Sequence, residues 1–207
     1  MRKMLRPECP DWLAENQSRW TQTYCQRREQ NPSANFAWPQ HEGRKINHNL
    51  QQLLGESTDG HCSYCDGGFP LGSASRDTID HFKPKEAYCT EAFTWENLYL
   101  ACDCCQQVKS NRYSDNLLRP DLLDFDFSSY FQFNYRNGHL EPNPLADEEK
   151  QQQAIETIRL LGLNEHERPW ARLSELNKFT CLSMDKQREL LGTFNYRFLM
   201  EMELQDQ

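Results

Sequence analysis

The sequence predicts an α+β fold in which a small, zinc-stapled centre lies between helical segments at the two ends of the chain. Two Cys-x-x-Cys pairs, Cys62 with Cys65 and Cys102 with Cys105, offer the four thiolates of a closed tetrahedral zinc site. Turn residues and short apolar runs around these pairs predict short strands, with a helix beginning near Cys102. Apolar residues at helical spacing fill both ends of the chain.

We divide the chain into three segments that are expected to pack together as one domain. Residues 1–57 form an N-terminal helical segment, and residues 58–120 form the centre with the four-cysteine zinc site. Residues 121–207 form an aromatic hairpin followed by a helical region. No repeat, low-complexity segment or flexible linker separates the three, and 207 residues are an ordinary length for one domain.

Two helices are predicted in the first segment. Apolar and aromatic residues recur at helical spacing from position 11 to about position 30, where Asn31-Pro32 ends the pattern. A second, shorter helix is predicted near residues 45–54, because its leucines share one face and Gly55 follows as a stop signal.

The third segment begins with aromatic residues and continues as helices. The aromatic stretch at residues 125–135 runs into Asn137-Gly138, a turn pair typical of a β-hairpin. Exposed rings can stack on nucleic-acid bases, but alternation with polar residues favours a half-buried strand, so we predict that these rings pack in the core. One helix is predicted through residues 155–163, and a longer one from about residue 169 to residue 204.

The composition predicts a cytoplasmic protein. The chain contains no apolar run long enough for a membrane span, and its first residues do not lead into a signal peptide. In a reducing cytosol, paired cysteines bind metals more often than they form disulfides. Cys104 could replace Cys105 as a ligand, but only Cys102 with Cys105 has the two-residue gap. The isolated cysteines are expected to be buried or partly buried thiols: Cys9, Cys25, Cys89 and Cys181.

The charge argues against a chain that grips nucleic acid by itself. The net charge is −8, whereas phosphate binding is driven by Lys and Arg. The acidity is concentrated in residues 121–207, which carry 9 basic and 16 acidic side chains, while residues 1–57 carry 8 and 6. The acidic end is therefore expected to meet a basic protein partner.

Asp80-His81 is the candidate catalytic pair. A neutral imidazole can accept a proton from water near pH 7, and a carboxylate beside it can hold a hard cation such as Mg²⁺. Adjacent side chains of a regular strand point to opposite faces, so both can reach one site only at a strand end or bend. The following Lys83-Pro84-Lys85 is consistent with such an end.

Five motifs lie in the centre of the chain: Cys62-x-x-Cys65, Ile79-Asp80-His81-Phe82-x-Pro84-Lys85, Trp95-x-Asn97-Leu98, Ala101-Cys102-x-x-Cys105 and Lys109. In combination, these motifs resemble the HNH endonucleases of the ββα-metal type. More narrowly, the chain is similar to the PtuB-like HNH proteins of Septu and retron anti-phage systems, which accompany a PtuA-type ATPase. The HNH resemblance covers about residues 60–120, and the narrower one extends with looser motifs through Leu117-Leu118-Arg119-Pro120, the aromatic stretch and residues 154–164.

The resemblance implies a role for each matching residue. His81 would be the general base, Asp80 a ligand of a catalytic Mg²⁺ or Mn²⁺ ion, and Asn97 the residue that braces the loop of the finger. Cys62, Cys65, Cys102 and Cys105 would hold the structural zinc ion. The candidate nucleic-acid contacts are Lys83, Lys85 and Lys109, the last one helical turn past the final cysteine.

Gln106 departs from the family pattern, since such proteins commonly carry Asn directly after the final cysteine as the second ligand of the catalytic cation. Glutamine offers the same amide oxygen on a longer side chain, so Gln106 is our candidate ligand. The role could also move to Asn111 or Asp115, or the cation site could be weakened.

The leading hypothesis is a metal-dependent endonuclease, the toxic effector of a Septu or retron type defence system, acting with a PtuA-like ATPase. In a retron, a reverse transcriptase and its msDNA would restrain it. Double-stranded DNA is the default substrate, and a structured RNA such as tRNA stays open. The alternative is a zinc-stapled binding module without catalysis, which the negative charge and Gln106 favour. A cysteine-based redox or hydrolytic enzyme is the weakest alternative, because zinc-bound thiolates are not free nucleophiles.

Overall fold

The computed structural model describes residues 1–68 and 77–205, and the backbone alone at Asp77. Helices, including the short 3₁₀ turns, take up 48% of the described residues and strands 11%, which confirms the α+β class. Short 3₁₀ turns lie at Cys89–Glu91, Trp95–Asn97 and Leu191–Thr193. The elements, in order, are α1 (Asp11–Gln30), β1 (Gln40–His41), β2 (Arg44–Lys45), α2 (Ile46–Ser57), β3 (Asp77–His81), β4 (Leu98–Cys102), α3 (Asp103–Lys109), α4 (Phe127–Tyr130), β5 (Phe131–Phe133), β6 (Leu140–Pro142), α5 (Glu148–Leu161), α6 (Arg168–Thr180), α7 (Met184–Leu190) and α8 (Arg197–Gln205).

A hairpin-like pair of strands followed by a helix forms the centre of the molecule. β3 and β4 pair antiparallel, with Asp77 opposite Cys102 and His81 opposite Leu98. α3 begins directly after β4, and the sulfur of Cys102 caps it by accepting a hydrogen bond from the backbone N–H of Cys105. The last cysteine pair therefore lies at the junction of strand and helix.

The N-terminal segment covers one side of this centre. α1 and α2 bury their apolar residues against β3, β4 and the loop between them, forming an apolar cluster separate from the rest of the core. Both predicted helices are present, from Asp11–Gln30 and Ile46–Ser57. The fully buried members of the cluster include Leu13, Ile46, Leu50, Leu54, Trp95, Leu98 and Leu100.

The aromatic stretch packs in a second apolar cluster, as the alternation pattern predicts. The rings of Phe125, Phe127, Phe131 and Phe133 are buried, whereas Tyr135 at the end of the stretch is exposed. β5 and β6 form the hairpin, and Gly138 adopts a positive φ of 76° in its turn. A side chain at this glycine would run into the backbone carbonyl of Pro169, so the turn also packs directly on α6.

The prediction of one long C-terminal helix is wrong. The chain forms three helices there, α6, α7 and α8, because Ser183 takes an extended conformation before α7 and Tyr196 has a positive φ of 58° before α8. The second break lets the backbone N–H of Tyr196 donate to the carbonyl of Asp66, beside the first cysteine pair. A continuous helix would not reach that loop.

Two of the four isolated cysteines are paired, which corrects the expectation of separate thiols. Cys25 on α1 and Cys89 in the first 3₁₀ turn form a disulfide that spans 64 residues of sequence. Cys9 is partly buried, as expected, whereas the expectation for Cys181 is wrong, because its side chain is exposed at the end of α6. Among the helices of the described residues, none combines the length and apolar character needed to cross a membrane.

Candidate functional site

Four cysteine sulfurs meet at the junction of β4 and α3. The Sγ atoms of Cys62, Cys65, Cys102 and Cys105 all lie within 4.8 Å of one another. A tetrahedral Zn²⁺ with Zn–S bonds of about 2.3 Å needs sulfur atoms about 3.8 Å apart, and the sulfurs of Cys65 and Cys102 are 3.8 Å apart. The donor set is therefore one that could hold a metal ion such as zinc.

Backbone amides point at these sulfurs. The N–H groups of Gly67, Cys102 and Cys105 donate to the sulfurs of Cys65, Cys62 and Cys102, at 3.3–3.4 Å. Such donors favour the thiolate form that binds metal. Cys104, the alternative ligand, is exposed and outside the group of four sulfurs.

A buried arginine from the C-terminal region faces the same sulfurs. The Nη2 atom of Arg168, the first residue of α6, lies 3.3 Å from the sulfur of Cys105, and its Nη1 atom donates to the carbonyls of Leu161 and Gly162. Four thiolates and one Zn²⁺ leave two negative charges, so a buried guanidinium partly compensates them. Sequence reasoning missed Arg168, because 63 residues separate it from Cys105.

The loop that carries Cys62 and Cys65 is held by a buried ion pair between Arg197 and Asp66. The Nη2 atom of Arg197 lies 2.6 Å from the carboxylate of Asp66, and its Nη1 atom lies 2.8 Å from the carboxylate of Asp59. The guanidinium also donates to the carbonyl of Thr58. α8 thus fixes the loop from which Cys62 and Cys65 project.

Two of the three predicted catalytic residues line one cleft of about 280 Å³, whereas the third, Asn97, lines a neighbouring cavity. Asp80 and His81, the last two residues of β3, line it together with Gln106 from α3. Asp80 and His81 are adjacent at the end of β3, yet their side chains have different neighbours: Asp80 contacts Tyr64 and Lys109, whereas the ring of His81 packs on Phe36 and Trp38. That both side chains act at one site stays a prediction. The remaining lining residues are Pro84, Lys85, Glu86, Gln107, Ser110 and Asn111.

Asp80 is almost fully buried and has two strong partners on one oxygen. Its Oδ2 atom accepts a hydrogen bond of 2.7 Å from the hydroxyl of Tyr64 and lies 2.9 Å from Nζ of Lys109. Burial raises the pKa of Asp80, whereas the contacts with Lys109 and Tyr64 oppose that shift. Both contacts use Oδ2.

His81 is buried on the other side of the strand end. Its Nε2 atom lies 2.9 Å from the carbonyl oxygen of Ala92, and since a carbonyl only accepts, Nε2 carries the hydrogen. In a neutral imidazole the lone pair is then on Nδ1. Burial, with a contribution from the ammonium of Lys85, lowers the pKa of His81 to about 3. The ring is therefore neutral near pH 7.

Gln106 reaches the cleft but turns its amide toward the strand. Its Nε2 atom donates to the carbonyl of Ile79 at 3.3 Å, which points the amide oxygen away from that carbonyl. Of the two alternative ligands, Asn111 lines the same cleft and Asp115 lines a neighbouring cavity of about 230 Å³. Asp115 therefore does not line the cleft that Asp80 lines.

Asn97 is buried in the loop between β3 and β4 and makes three hydrogen bonds there. Its Oδ1 accepts from the backbone N–H of Lys83 at 2.7 Å, and its Nδ2 donates to the carbonyls of Lys83 and Glu91. These are bracing contacts within the loop that carries the chain away from His81. A direct part for Asn97 in catalysis stays a prediction.

The three candidate phosphate-binding lysines have different surroundings. Lys85 lines the cleft, with its Nζ 3.0 Å from Glu86. Lys83 lies in the neighbouring cavity and pairs with Glu91 at 3.1 Å. The expected phosphate contact of Lys109 is corrected: its ammonium is fully buried, pairs with Asp80 and donates to the carbonyl of His81. The helix turn after the last cysteine faces inward, since it packs on β3.

Sequence reasoning also missed the aromatic residues around His81. Trp38 stacks on the imidazole with ring centroids 5.6 Å apart, and Phe36 meets it edge-on at 5.1 Å. Both belong to the connection between α1 and β1. These rings and His81 are more than 40 residues apart in sequence, so no local sequence pattern indicates that they are in contact. Two aromatic residues in a short loop do indicate that the loop is partly buried.

The chain matches no known family model, and no curated protein is significantly similar to it.

Proposed function

We propose that this protein is a metal-dependent endonuclease of the HNH type, which hydrolyses phosphodiester bonds in nucleic acid. The observation that supports the proposal most is the meeting of Asp80, His81 and Gln106 at one cleft, beside four cysteines able to hold a zinc ion. The order of elements, β3 paired with β4 and followed directly by α3, supports the proposal because a ββα-metal finger has the same order.

His81 would act as the general base. Its Nε2–H is held by the carbonyl of Ala92, so Nδ1 would take a proton from water as the water oxygen forms its bond to phosphorus. The bond from phosphorus to the departing oxygen breaks in the same displacement. Because His81 is neutral near pH 7, no proton has to be removed from it before it acts.

Asp80 and Gln106 would hold the catalytic divalent cation, Mg²⁺ or Mn²⁺. Both ions prefer oxygen ligands, and Mg²⁺ usually retains several waters, so one carboxylate oxygen and one amide oxygen fit a partly hydrated ion. When bound, the cation supplies charge stabilisation for the phosphate and the departing oxygen. Lys85, at the edge of the same cleft, would attract the phosphate.

The biological setting we propose is anti-phage defence of the Septu or retron type. The net charge of −8 supports dependence on a partner for nucleic-acid affinity, and a PtuA-like ATPase would be that partner. A retron reverse transcriptase with its msDNA would restrain the nuclease until infection. Double-stranded DNA is the default substrate, with structured RNA such as tRNA as the second choice.

A non-catalytic adaptor module is the second candidate function. It is favoured by one specific observation: Asp80 is engaged by Lys109 and Tyr64, and Gln106 bonds a backbone carbonyl. In this case the zinc-stapled centre would only recruit the ATPase or nucleic acid.

Cleavage assays separate the two candidates. The purified chain, alone and in complex with its ATPase partner, would be incubated with duplex DNA and with tRNA in Mg²⁺, Mn²⁺ or EDTA. The nuclease proposal expects cleavage that requires the divalent cation. A complex that binds its partner and nucleic acid but cuts neither substrate would support the adaptor.

A further inference from the structure

Two aromatic residues from the N-terminal segment enclose the ring of His81. Trp38 lies nearly parallel to the imidazole, at an interplanar angle of 16° and a centroid distance of 5.6 Å. Phe36 meets the ring at 81° and 5.1 Å. We call these two residues the aromatic clamp. Trp38 and Phe36 are themselves only partly buried, so they form the wall between His81 and solvent.

The clamp and a hydrogen bond together define one orientation of the imidazole. The carbonyl of Ala92 accepts from Nε2 at 2.9 Å, and the next residue, Phe93, packs on both clamp rings, at 5.4 Å from Phe36 and 6.1 Å from Trp38. Rotation of the imidazole about its own axis would break the hydrogen bond and move the ring off Trp38. The contacts therefore favour the orientation in which Nδ1 carries the lone pair.

Several contacts hold α1, the helix that precedes the clamp, and Phe36 of the clamp to the segment between β3 and β4 that carries Ala92. The disulfide between Cys25 and Cys89 ties α1 to the turn just before Ala92. Arg28 donates to the carbonyl of Glu86 at 3.2 Å, and the ammonium of Lys85 lies 5.2 Å from the ring of Phe36. The position of the clamp over His81 therefore does not depend on Trp38 alone, because α1 and Phe36 are also held to this segment.

We propose that Trp38 and Phe36 are positioning residues for His81, which hold the imidazole in the single tautomer and orientation that hydrolysis at the cleft needs. The N-terminal segment is then part of the candidate active site. The catalytic meaning of this inference rests on the proposed function, but the positioning of the ring does not. Misplacement of a catalytic group by about 1 Å can cost about a hundredfold in rate.

The first arm of the test observes the ring directly. Side-chain NMR of ¹⁵N-histidine-labelled full-length protein, at neutral pH, would be compared for wild type, Trp38→Phe and Trp38→Leu, with His81→Ala to assign the signals. Wild type should show one neutral tautomer with hydrogen on Nε2 and ring protons shifted upfield by Trp38. Trp38→Leu should lose the shift and mix the tautomers, whereas Trp38→Phe should keep both features. Phe36→Leu provides a second, independent variant.

A matched control is available in the same segment. Trp12 stacks on His41 with centroids 5.7 Å apart and an angle of 23°, so Trp12→Leu removes an equivalent pair and should leave the His81 signals unchanged. Zinc content and circular dichroism would show that each variant is folded. Unchanged His81 signals in folded Trp38→Leu and Phe36→Leu would overturn the positioning.

The second arm measures cleavage by the complex with the same variants. We expect Trp38→Leu to lower kcat about a hundredfold with KM unchanged, and Trp38→Phe to restore most of it. An unchanged kcat in Trp38→Leu would overturn the proposal even if the signals move. If wild type and His81→Ala behave alike, the proposed function fails, and the NMR arm still decides whether the clamp positions the ring.

Discussion

The ammonium of Lys109 lies 2.9 Å from Oδ2 of Asp80, and both side chains are almost completely buried. The same Nζ atom donates to the carbonyl of His81 at 2.6 Å. Helix α3 is therefore joined to the end of β3 by a buried charge pair at the candidate active site. A buried ion pair often stabilises the folded state no more than a well-packed apolar pair of similar volume. Removal of one partner alone is strongly destabilising, because it leaves the other charge buried without a counter-ion.

Replacement of Lys109 by Met should destabilise the protein by about 3–5 kcal/mol, because it leaves the buried carboxylate of Asp80 without its counter-ion. The double variant Lys109→Met/Asp80→Asn should recover much of this loss, since it removes the uncompensated charge. Urea denaturation in the presence of excess zinc would give the free energies of unfolding. Additive losses in the double variant would contradict the proposed coupling.

The four-cysteine site should bind one zinc ion per chain, because four thiolates close a tetrahedral site. Cys105→Ser should lose the metal and unfold the centre, since binding energy at such a site is folding energy. Cys104→Ser is the matched control, because Cys104 is exposed. This variant should retain both the bound zinc and the folded centre. Metal analysis with circular dichroism would measure the outcome. Loss of zinc from Cys104→Ser, but not from Cys105→Ser, would contradict this ligand assignment.

Arg168 should strengthen zinc binding. Replacing it by Met removes the buried guanidinium near the sulfur of Cys105, and loss of such a supporting group typically costs about 10- to 100-fold in metal affinity. Competition with a chromophoric chelator would measure the affinity. Arg188→Met, at an exposed arginine on α7, should bind zinc as wild type does. Equal affinities in the two variants would show that Arg168 does not support the metal.

The disulfide between Cys25 and Cys89 should stabilise the fold by about 4 kcal/mol in the chain-entropy model, since it closes a loop of 64 residues. Reduction with a phosphine should therefore lower the urea midpoint of wild type. The variant Cys25→Ser/Cys89→Ser should already have the lower midpoint and should not respond to the reductant. Peptide mapping without reduction would identify the bond, and an unlinked pair would contradict it.

The elements that could be predicted from the sequence are those with strong local signals. The spacing of apolar residues and the Asn31-Pro32 stop predict α1, and Asn137-Gly138 predicts the hairpin. The two Cys-x-x-Cys pairs predict the cluster of four sulfurs, because the two cysteines of each pair are only three positions apart and can be recognised as metal ligands from the sequence. The break before α8 was missed, since only tertiary contacts favour the positive φ of Tyr196.

The parts of the site that could not be predicted depend on pairing between distant segments. Neither the stacking of Trp38 on His81 nor the approach of Arg168 to Cys105 leaves a periodic pattern in the sequence. Lys109 looks like an exposed helix lysine by residue type, and only the packing of α3 on β3 turns it inward to Asp80. Charge and motif spacing identify the residues of a site but not their partners.

The central claim is that His81 is the base of a hydrolytic site, and one comparison tests it most directly. Cleavage of duplex DNA and of tRNA in Mg²⁺ or Mn²⁺ would be measured for the chain with the proposed PtuA-like ATPase, as wild type, His81→Ala and His48→Ala. His48 is an exposed histidine on α2 and serves as the matched control. We expect His81→Ala to lose about 10²- to 10⁴-fold in rate, with zinc content and fold intact, and His48→Ala to cleave as wild type does. Cleavage by His81→Ala at the wild-type rate would contradict the account.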